Sequence, residues 1–284
     1  MTSAQQLQHL YWRAGFGPRP QDLAAGLSPR KALRQLLHDS ATFEPLTGPA
    51  LAYADPQGAV PAEPAAPRKT PTPDGTVTTQ PDPTTAGDAP GAVTDAGAAL
   101  RNGGLAAGVP RLRRAALTPE QRKMQNQGMR EAFINMSTAW MARMAASPAQ
   151  LREKMTLFWH GHFACRVRQP NAALRLHDTT RRHALGKFPD LLLAVSRESA
   201  MLQFLNNQQN RKARPNENFA REVMELFTLG RGNYSETDVK EAARAFTGWG
   251  YDGQGNFISR ERDHDAGASS EAGSLISRAA SVSS

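Results

Sequence analysis

The sequence lacks long apolar runs and contains a single cysteine among its 284 residues. No segment approaches the roughly 18 consecutive apolar residues of a membrane-spanning helix, so we expect no transmembrane segment. Cys165 has no partner for an internal disulfide, which fits a reducing compartment. No apolar run follows a basic start within residues 1–17, so no secretory signal is visible. The default compartment is therefore the cytoplasm, and the cell envelope is the alternative.

Motifs of well-known chemistry are missing as well. The sequence has no glycine-rich phosphate loop, no G-x-S-x-G elbow, no H-E-x-x-H and no C-x-x-C. The RAGFG string at residues 13–17 follows a predicted helix rather than a strand, so we interpret it as a turn. No reaction can be assigned from motifs of this kind.

Large apolar side chains are scarce in two segments of the chain. Hydrophobic residues make up 39% of the sequence, below the roughly 45–50% of typical globular chains. Residues 44–116 are rich in Pro, Ala, Gly and Thr, and cannot bury enough apolar surface to offset their ordering entropy. We predict a disordered insertion there, and a disordered tail over the Ser-rich residues 268–284, for which an out-of-frame ending is the second interpretation.

The remaining sequence shows helical periodicity and helix-capping signals. Ser28-Pro29, Thr118-Pro119 and Ser147-Pro148 each supply an N-cap residue followed by a first-turn proline. Alternation typical of strands occurs only briefly, over residues 251–258. These patterns predict a mainly α fold, an irregular multi-helix array with at most a minor β element, formed by N-terminal helices in residues 1–43 and a helical core in 117–267. The predicted helices cover residues 5–13, 30–38, 118–144, 149–163, 171–185, 189–197, 199–205, 216–229 and 235–249.

The string FWHGHF contains His160 and His162 two residues apart. Imidazole is a common metal ligand, and such a pair can share one ion when the backbone is extended. On an α-helix the two side chains would diverge by about 200°, so they could not bind the same ion. Gly161 between them is a residue type that interrupts helices. Metal binding, a structural hydrogen-bonding role and acid-base work all stay open.

A second group of candidates consists of carboxylates on predicted helices. On the helix over residues 216–229, Asn218, Glu222 and Glu225 fall on one face. Glu222 and Glu225 could complete a metal site with the histidines, and Glu217 and Glu241 are candidate general bases. The alternative is that the carboxylates of residues 215–227 form ion pairs with the arginines of residues 151–214.

Positive charge is concentrated in one part of the sequence. The chain carries a net charge of +8, and residues 151–214 contain 12 Lys and Arg against 4 Asp and Glu. Such a field attracts acidic ligands at low salt. Aromatic residues do not interleave with the arginines as a nucleic-acid stacking platform requires, which argues against nucleic acid. A solvated helical face balanced by acidic neighbours is the alternative.

Several long strings occur in an order that resembles the bacterial family known as domain of unknown function 1800. They are residues 13–17, 152–163, 207–212, 215–230 and 241–249. The resemblance implies a large, mostly helical protein, often encoded beside a second family of predicted exported proteins, so a protein partner or an envelope role is expected. No catalytic role can be transferred. The candidate residues within these strings are His160, His162, Glu217, Glu222, Glu225 and Glu241.

The sequence departs from the family pattern in three ways. The Pro-rich insertion is long, no export signal is visible, and the family normally continues with further helices beyond a string such as His264-Asp265. We therefore expect a C-terminally truncated member, produced by a frameshift or a premature stop.

Two functional hypotheses follow from these features. The enzymatic one is a metal-dependent, hydrolase-like activity in which His160 and His162 hold a divalent ion with Glu222 or Glu225, and the ion activates water. The competing one is a non-enzymatic helical binding module that recruits an acidic or protein partner through the basic segment.

Overall fold

The computed structural model describes residues 1–47 and 117–268. The predicted disordered insertion and tail lie almost entirely outside these residues. Within them the chain forms ten α-helices and one two-stranded sheet, which confirms the mainly α prediction. These elements all belong to one compact unit. No helix of the described ranges is long and apolar enough to span a bilayer.

The elements follow one another in a simple order. Before the insertion lie α1 (Ser3–Ala14), α2 (Pro20–Ala24) and α3 (Pro29–Asp39). After it come α4 (Pro119–Ala146), α5 (Gln150–His162), α6 (Pro170–His183), α7 (Phe188–Ser196), α8 (Ser199–Phe204), α9 (Asn218–Glu222) and α10 (Glu236–Ala245). Strands β1 (Trp249–Tyr251) and β2 (Phe257–Ser259) pair in antiparallel register, with Gly250 opposite Ile258.

The first three helices form a small core of their own. A capping box of Thr2 and Gln5 begins α1. Leu7 and Tyr11 of α1 pack against Ala32 and Leu36 of α3. The RAGFG string forms the predicted turn after α1, where Gly17 adopts a positive φ of 108° that favours glycine.

The main core lies among α6, α7, α8, α9 and α10. Helix α6 packs on α5, α7 and α8, and α10 packs on α9. The fully buried apolar side chains include Leu191, Leu192, Met201, Phe219 and Phe246. By contrast, α4 buries only Ala132, and its Met and aromatic side chains at helical spacing are half-buried, namely Met129, Phe133, Met136, Trp140 and Met144.

A buried ion pair joins α5 to α6. Glu153 is 0% exposed and Arg181 is 1% exposed, and two hydrogen bonds of 2.6 and 3.2 Å connect the guanidinium to the two carboxylate oxygens. Arg143 of α4 lies 3.4 Å from the same carboxylate. Arg143 and Arg181 also donate to Glu44 and to backbone carbonyls of residues 44 and 45. These contacts hold residues 44–46 on the helical unit.

Arg152 is buried and has no carboxylate partner among the residues that the structure describes. Its guanidinium donates to the carbonyls of Ser40 and Ala41 at 2.9 Å, and to those of Arg181 and Arg182 at 2.6 and 3.1 Å. These carbonyls end α3 and α6, where the helix dipole favours positive charge. Burial lowers the pKa of Arg152, and the nearby Arg181 lowers it further. One side chain therefore caps two helices.

We predict that Glu153→Gln lowers the free energy of unfolding by about 3–5 kcal/mol, because it leaves the buried guanidinium of Arg181 without its counter-charge. Urea unfolding measures this. Glu44→Gln is the matched control, because the Glu44 side chain is 72% exposed and also pairs with Arg143. It should cost less than about 1 kcal/mol. Equal costs for the two substitutions would contradict the prediction.

Candidate functional site

The two histidines of the FWHGHF string lie on different sides of one helix. Helix α5 continues through Gly161 and ends at His162, so the extended backbone needed for a shared ion does not occur. The side chain of His162 donates from Nε2 to the carbonyl of Phe227 at 3.1 Å. His160 instead packs edge-on against Trp140, with ring centroids 5.3 Å apart. The structure therefore gives the two imidazoles different partners.

His162 meets its partner at the end of an unusual helix. α9 runs directly into a π-helix, Val223–Thr228, in which the amide of Leu229 donates to the carbonyl of Met224 at 2.7 Å. The last carbonyls of a helix have no partner within it, and His162 supplies one for Phe227. The sequence predicted a regular α-helix over residues 216–229. The wider π turn changes the spacing on which a common face for Glu222 and Glu225 depended.

His160 lies beside a second histidine, His177, which was not among the candidates from the sequence. His177 of α6 is 4% exposed, its ring lies 4.4 Å from Trp140, and neither of its nitrogens has a hydrogen-bond partner among the described residues. Nδ1 of His177 is 3.9 Å from the carboxylate of Asp178, beyond hydrogen-bonding distance. Partial burial lowers the pKa of His160, and His177 lowers it further. Both effects favour the neutral imidazole of His160.

The candidate carboxylates are mostly engaged by arginines. Arg221 pairs with Glu217 at 3.2 Å, and Arg244 pairs with Glu241 at 2.7 Å. Glu225 binds Arg231 and accepts a hydrogen bond of 2.8 Å from the hydroxyl of Tyr234. Three of the four carboxylates are therefore ion-paired, but with arginines outside residues 151–214, where the ion-pair alternative placed the partners.

The ion pairs also change what these carboxylates can do. The hydrogen bond from Arg231, and then that from Tyr234, lower the pKa of Glu225, so this side chain is a weak base at neutral pH. Glu222 is half-buried and has no ion-pair partner within the described ranges. Across residues 1–47 and 117–268, no three His, Cys, Asp or Glu side chains are grouped to hold a metal ion.

Two of the family strings, residues 207–212 and 241–249, meet the His264-Asp265 pair at the C-terminal end of α10. Side chains satisfy the carbonyls there: Asn210 donates to Ala243 at 2.8 Å, Asn207 to Phe246 at 3.2 Å, and Nδ1 of His264 to Thr247 at 2.8 Å. The hydroxyl of Thr247 in turn donates to Arg244. Asp265, the neighbour of His264, pairs with Arg244 at 2.8 Å. The strings thus build a cap on one helix.

The basic segment, residues 151–214, contains cations that contact other groups of the protein and cations that are exposed. Arg152 and Arg181 are hydrogen-bonded inside the fold, Arg175 donates at the surface to the carbonyl of Gln254, and Lys154, Arg182 and Arg197 lie over aromatic rings. Arg211 is exposed and lies 3.8 Å from Asp263. A further five cations are exposed and have no carboxylate within 4 Å in the part of the chain that the structure describes, namely Arg166, Arg168, Lys187, Lys212 and Arg214. Their charge is available to a partner.

The metal interpretation of His160 and His162 stays a prediction, and metal content after dialysis against Zn²⁺ tests it. One shared ion requires that His160→Ala and His162→Ala each remove the same equivalent of zinc. Because the two side chains diverge, we expect neither variant to differ from the exposed control His9→Ala. Loss of about one equivalent of zinc in both variants would instead support a joint site.

The chain was compared with known proteins. A family model described as "Protein of unknown function (DUF1800)" matches residues 9–280. No curated protein and no solved structure gives a match. The family match includes every helix and strand of the structure except the first turns of α1.

Proposed function

The chain belongs to the DUF1800 family, and from that premise we propose that it is a helical binding module that recruits an acidic protein partner through exposed basic side chains. The observation that carries this proposal is an asymmetry of charge. Three of the candidate carboxylates are held by arginines, whereas five exposed cations of residues 151–214 have no carboxylate partner within the described ranges.

The positions of the exposed cations favour a role in binding a partner over a role in stabilising the fold. Arg166 and Arg168 lie on the non-helical segment between α5 and α6, where they alternate with Cys165 and Val167, which pack against the core. The apolar side chains fix the segment, so the arginines point away from the core. An exposed cation without a partner contributes little to stability but strengthens attraction to an acidic surface.

The metal-dependent hydrolase remains the alternative, and it has less support. It needs two imidazoles and a carboxylate around one ion, and His160, His162 and Glu225 have separate partners. The binding module needs no such assembly. The partner that we propose is an acidic polypeptide, which includes the exported partner expected from the family resemblance. The compartment that we propose by default is the cytoplasm, with the cell envelope as the alternative.

We predict that the protein binds a fluorescein-labelled polyglutamate peptide with an affinity that falls steeply as salt rises. At about 10 mM ionic strength the Debye length is about 30 Å, and at physiological ionic strength it is about 8 Å, so exposed charges act together only at low salt. Fluorescence anisotropy across a NaCl series measures the dissociation constant.

A polylysine peptide of equal length is the control, and it should not bind. Binding of polyglutamate that does not change with salt would show that the interaction is not electrostatic. Absence of binding at low ionic strength would contradict the proposed function.

A further inference from the structure

We propose that the acidic partner is anchored by one preformed element, which we call the basic loop, residues 211–215. This inference rests on the proposed function and names the site and the partner chemistry within it. The loop carries Arg211, Lys212 and Arg214 within four residues, and all three side chains are exposed.

A buried asparagine closes the base of the basic loop. Asn210 is 1% exposed, and its Oδ1 accepts a hydrogen bond of 2.9 Å from the amide of Asn216, on the other side of the loop. The Nδ2 of Asn210 donates to Asn207 and to the end of α10. The carbonyl of Asn210 accepts from the amide of Gly248 at 3.0 Å. The two ends of the loop are thereby fixed to the main helical unit.

Further backbone contacts shape the loop itself. The amide of Arg214 donates to the carbonyl of Arg211 at 2.9 Å, which makes a tight turn. The amide of Lys212 donates to the carbonyl of Asp263 at 2.8 Å. This bond places the loop beside the segment of residues 260–264, which carries the exposed Glu261 and Arg262 and the half-buried Asp263. The segment therefore adds charges of both signs next to the loop.

The rigidity of the loop matters for binding. A flexible basic segment must lose conformational entropy when a partner immobilises it, whereas a loop already closed by hydrogen bonds loses less. Two of its three cations are arginines, whose planar guanidinium matches a carboxylate with two parallel hydrogen bonds. The loop is thus suited to single carboxylates at defined positions.

The neighbouring charges indicate which acidic partner fits. Glu261 and Asp263 lie in the segment beside the loop, and Asp263 is 3.8 Å from Arg211. A nucleic acid presents a dense, continuous line of phosphates, which these carboxylates would repel. An acidic polypeptide can place its carboxylates on the arginines and keep neutral residues opposite Glu261 and Asp263. The geometry therefore favours an acidic polypeptide.

The test compares two variants that remove the same number of charges. The loop variant is Arg211→Gln, Lys212→Gln and Arg214→Gln together, and the control variant is Arg30→Gln, Lys31→Gln and Arg34→Gln together, on α3 and outside residues 151–214. All six side chains are exposed, so both variants should fold, and circular dichroism checks this. Binding of polyglutamate and of a single-stranded oligonucleotide of equal charge is measured for the full chain by fluorescence anisotropy at low salt.

We expect the loop variant to bind polyglutamate about tenfold or more weakly, and the control variant to change by less than about threefold. Equal weakening of both variants would overturn the basic loop as the anchor but leave the proposed function standing. Tighter binding of the oligonucleotide than of polyglutamate, lost in the loop variant, would overturn the partner class. If the unaltered protein binds neither probe, the proposed function itself fails.

Discussion

The fold depends on the buried pair of Glu153 and Arg181. A buried carboxylate and guanidinium each carry a large desolvation cost, which only a close, fully bonded geometry offsets. Here two hydrogen bonds join the charges, and Arg143 approaches the same carboxylate. Through this pair α5 is tied to α6 and α4. The guanidinium of Arg181 also reaches the carbonyl of Glu44, so the N-terminal segment is attached to the same group. Charges that are used in this way are not available for chemistry.

A second constraint acts at the end of α10 and connects the fold to the proposed function. The last carbonyls of a helix carry partial negative charge and need donors. Asn207, Asn210 and His264 provide them from loops that are distant in sequence. The same Asn210 closes the basic loop through Asn216. The element that caps the helix therefore also determines the shape of the loop that presents unpaired positive charge.

Part of this structure could be predicted from the sequence. Periodicity and caps predicted most helices and the turn at Gly17, because both signals are local. The π-helix over residues 223–228 could not be predicted, since no residue type specifies its wider turn. The path of α5 was also uncertain at Gly161, because glycine costs a helix about 1 kcal/mol. Tertiary packing favours a helix that continues through Gly161, because Trp159 and Phe163 on either side stack against Phe188 of α7.

The candidate site was harder to predict because its partners are distant in sequence. Arg152 and Glu153 are charged and would ordinarily be assigned to the surface, yet both are buried. The roles of Asn207 and Asn210 depend on the position of α10, which no local pattern gives. Ion pairs of Glu217 and Glu225 were expected with arginines of residues 151–214, whereas their partners are the nearby Arg221 and Arg231. Only the excess of positive charge was visible directly.

On this account Lys212 and Arg214, two of the cations without a carboxylate partner in the described ranges, are held on a preformed loop. Hydrogen exchange of the Lys212 and Asn216 amides in the free protein tests this most directly. Both amides are hydrogen-bonded, to Asp263 and to buried Asn210, so the account predicts exchange slowed on the order of 100-fold relative to an unstructured peptide. Exchange at peptide rates, while the amides of α10 remain protected, would contradict it.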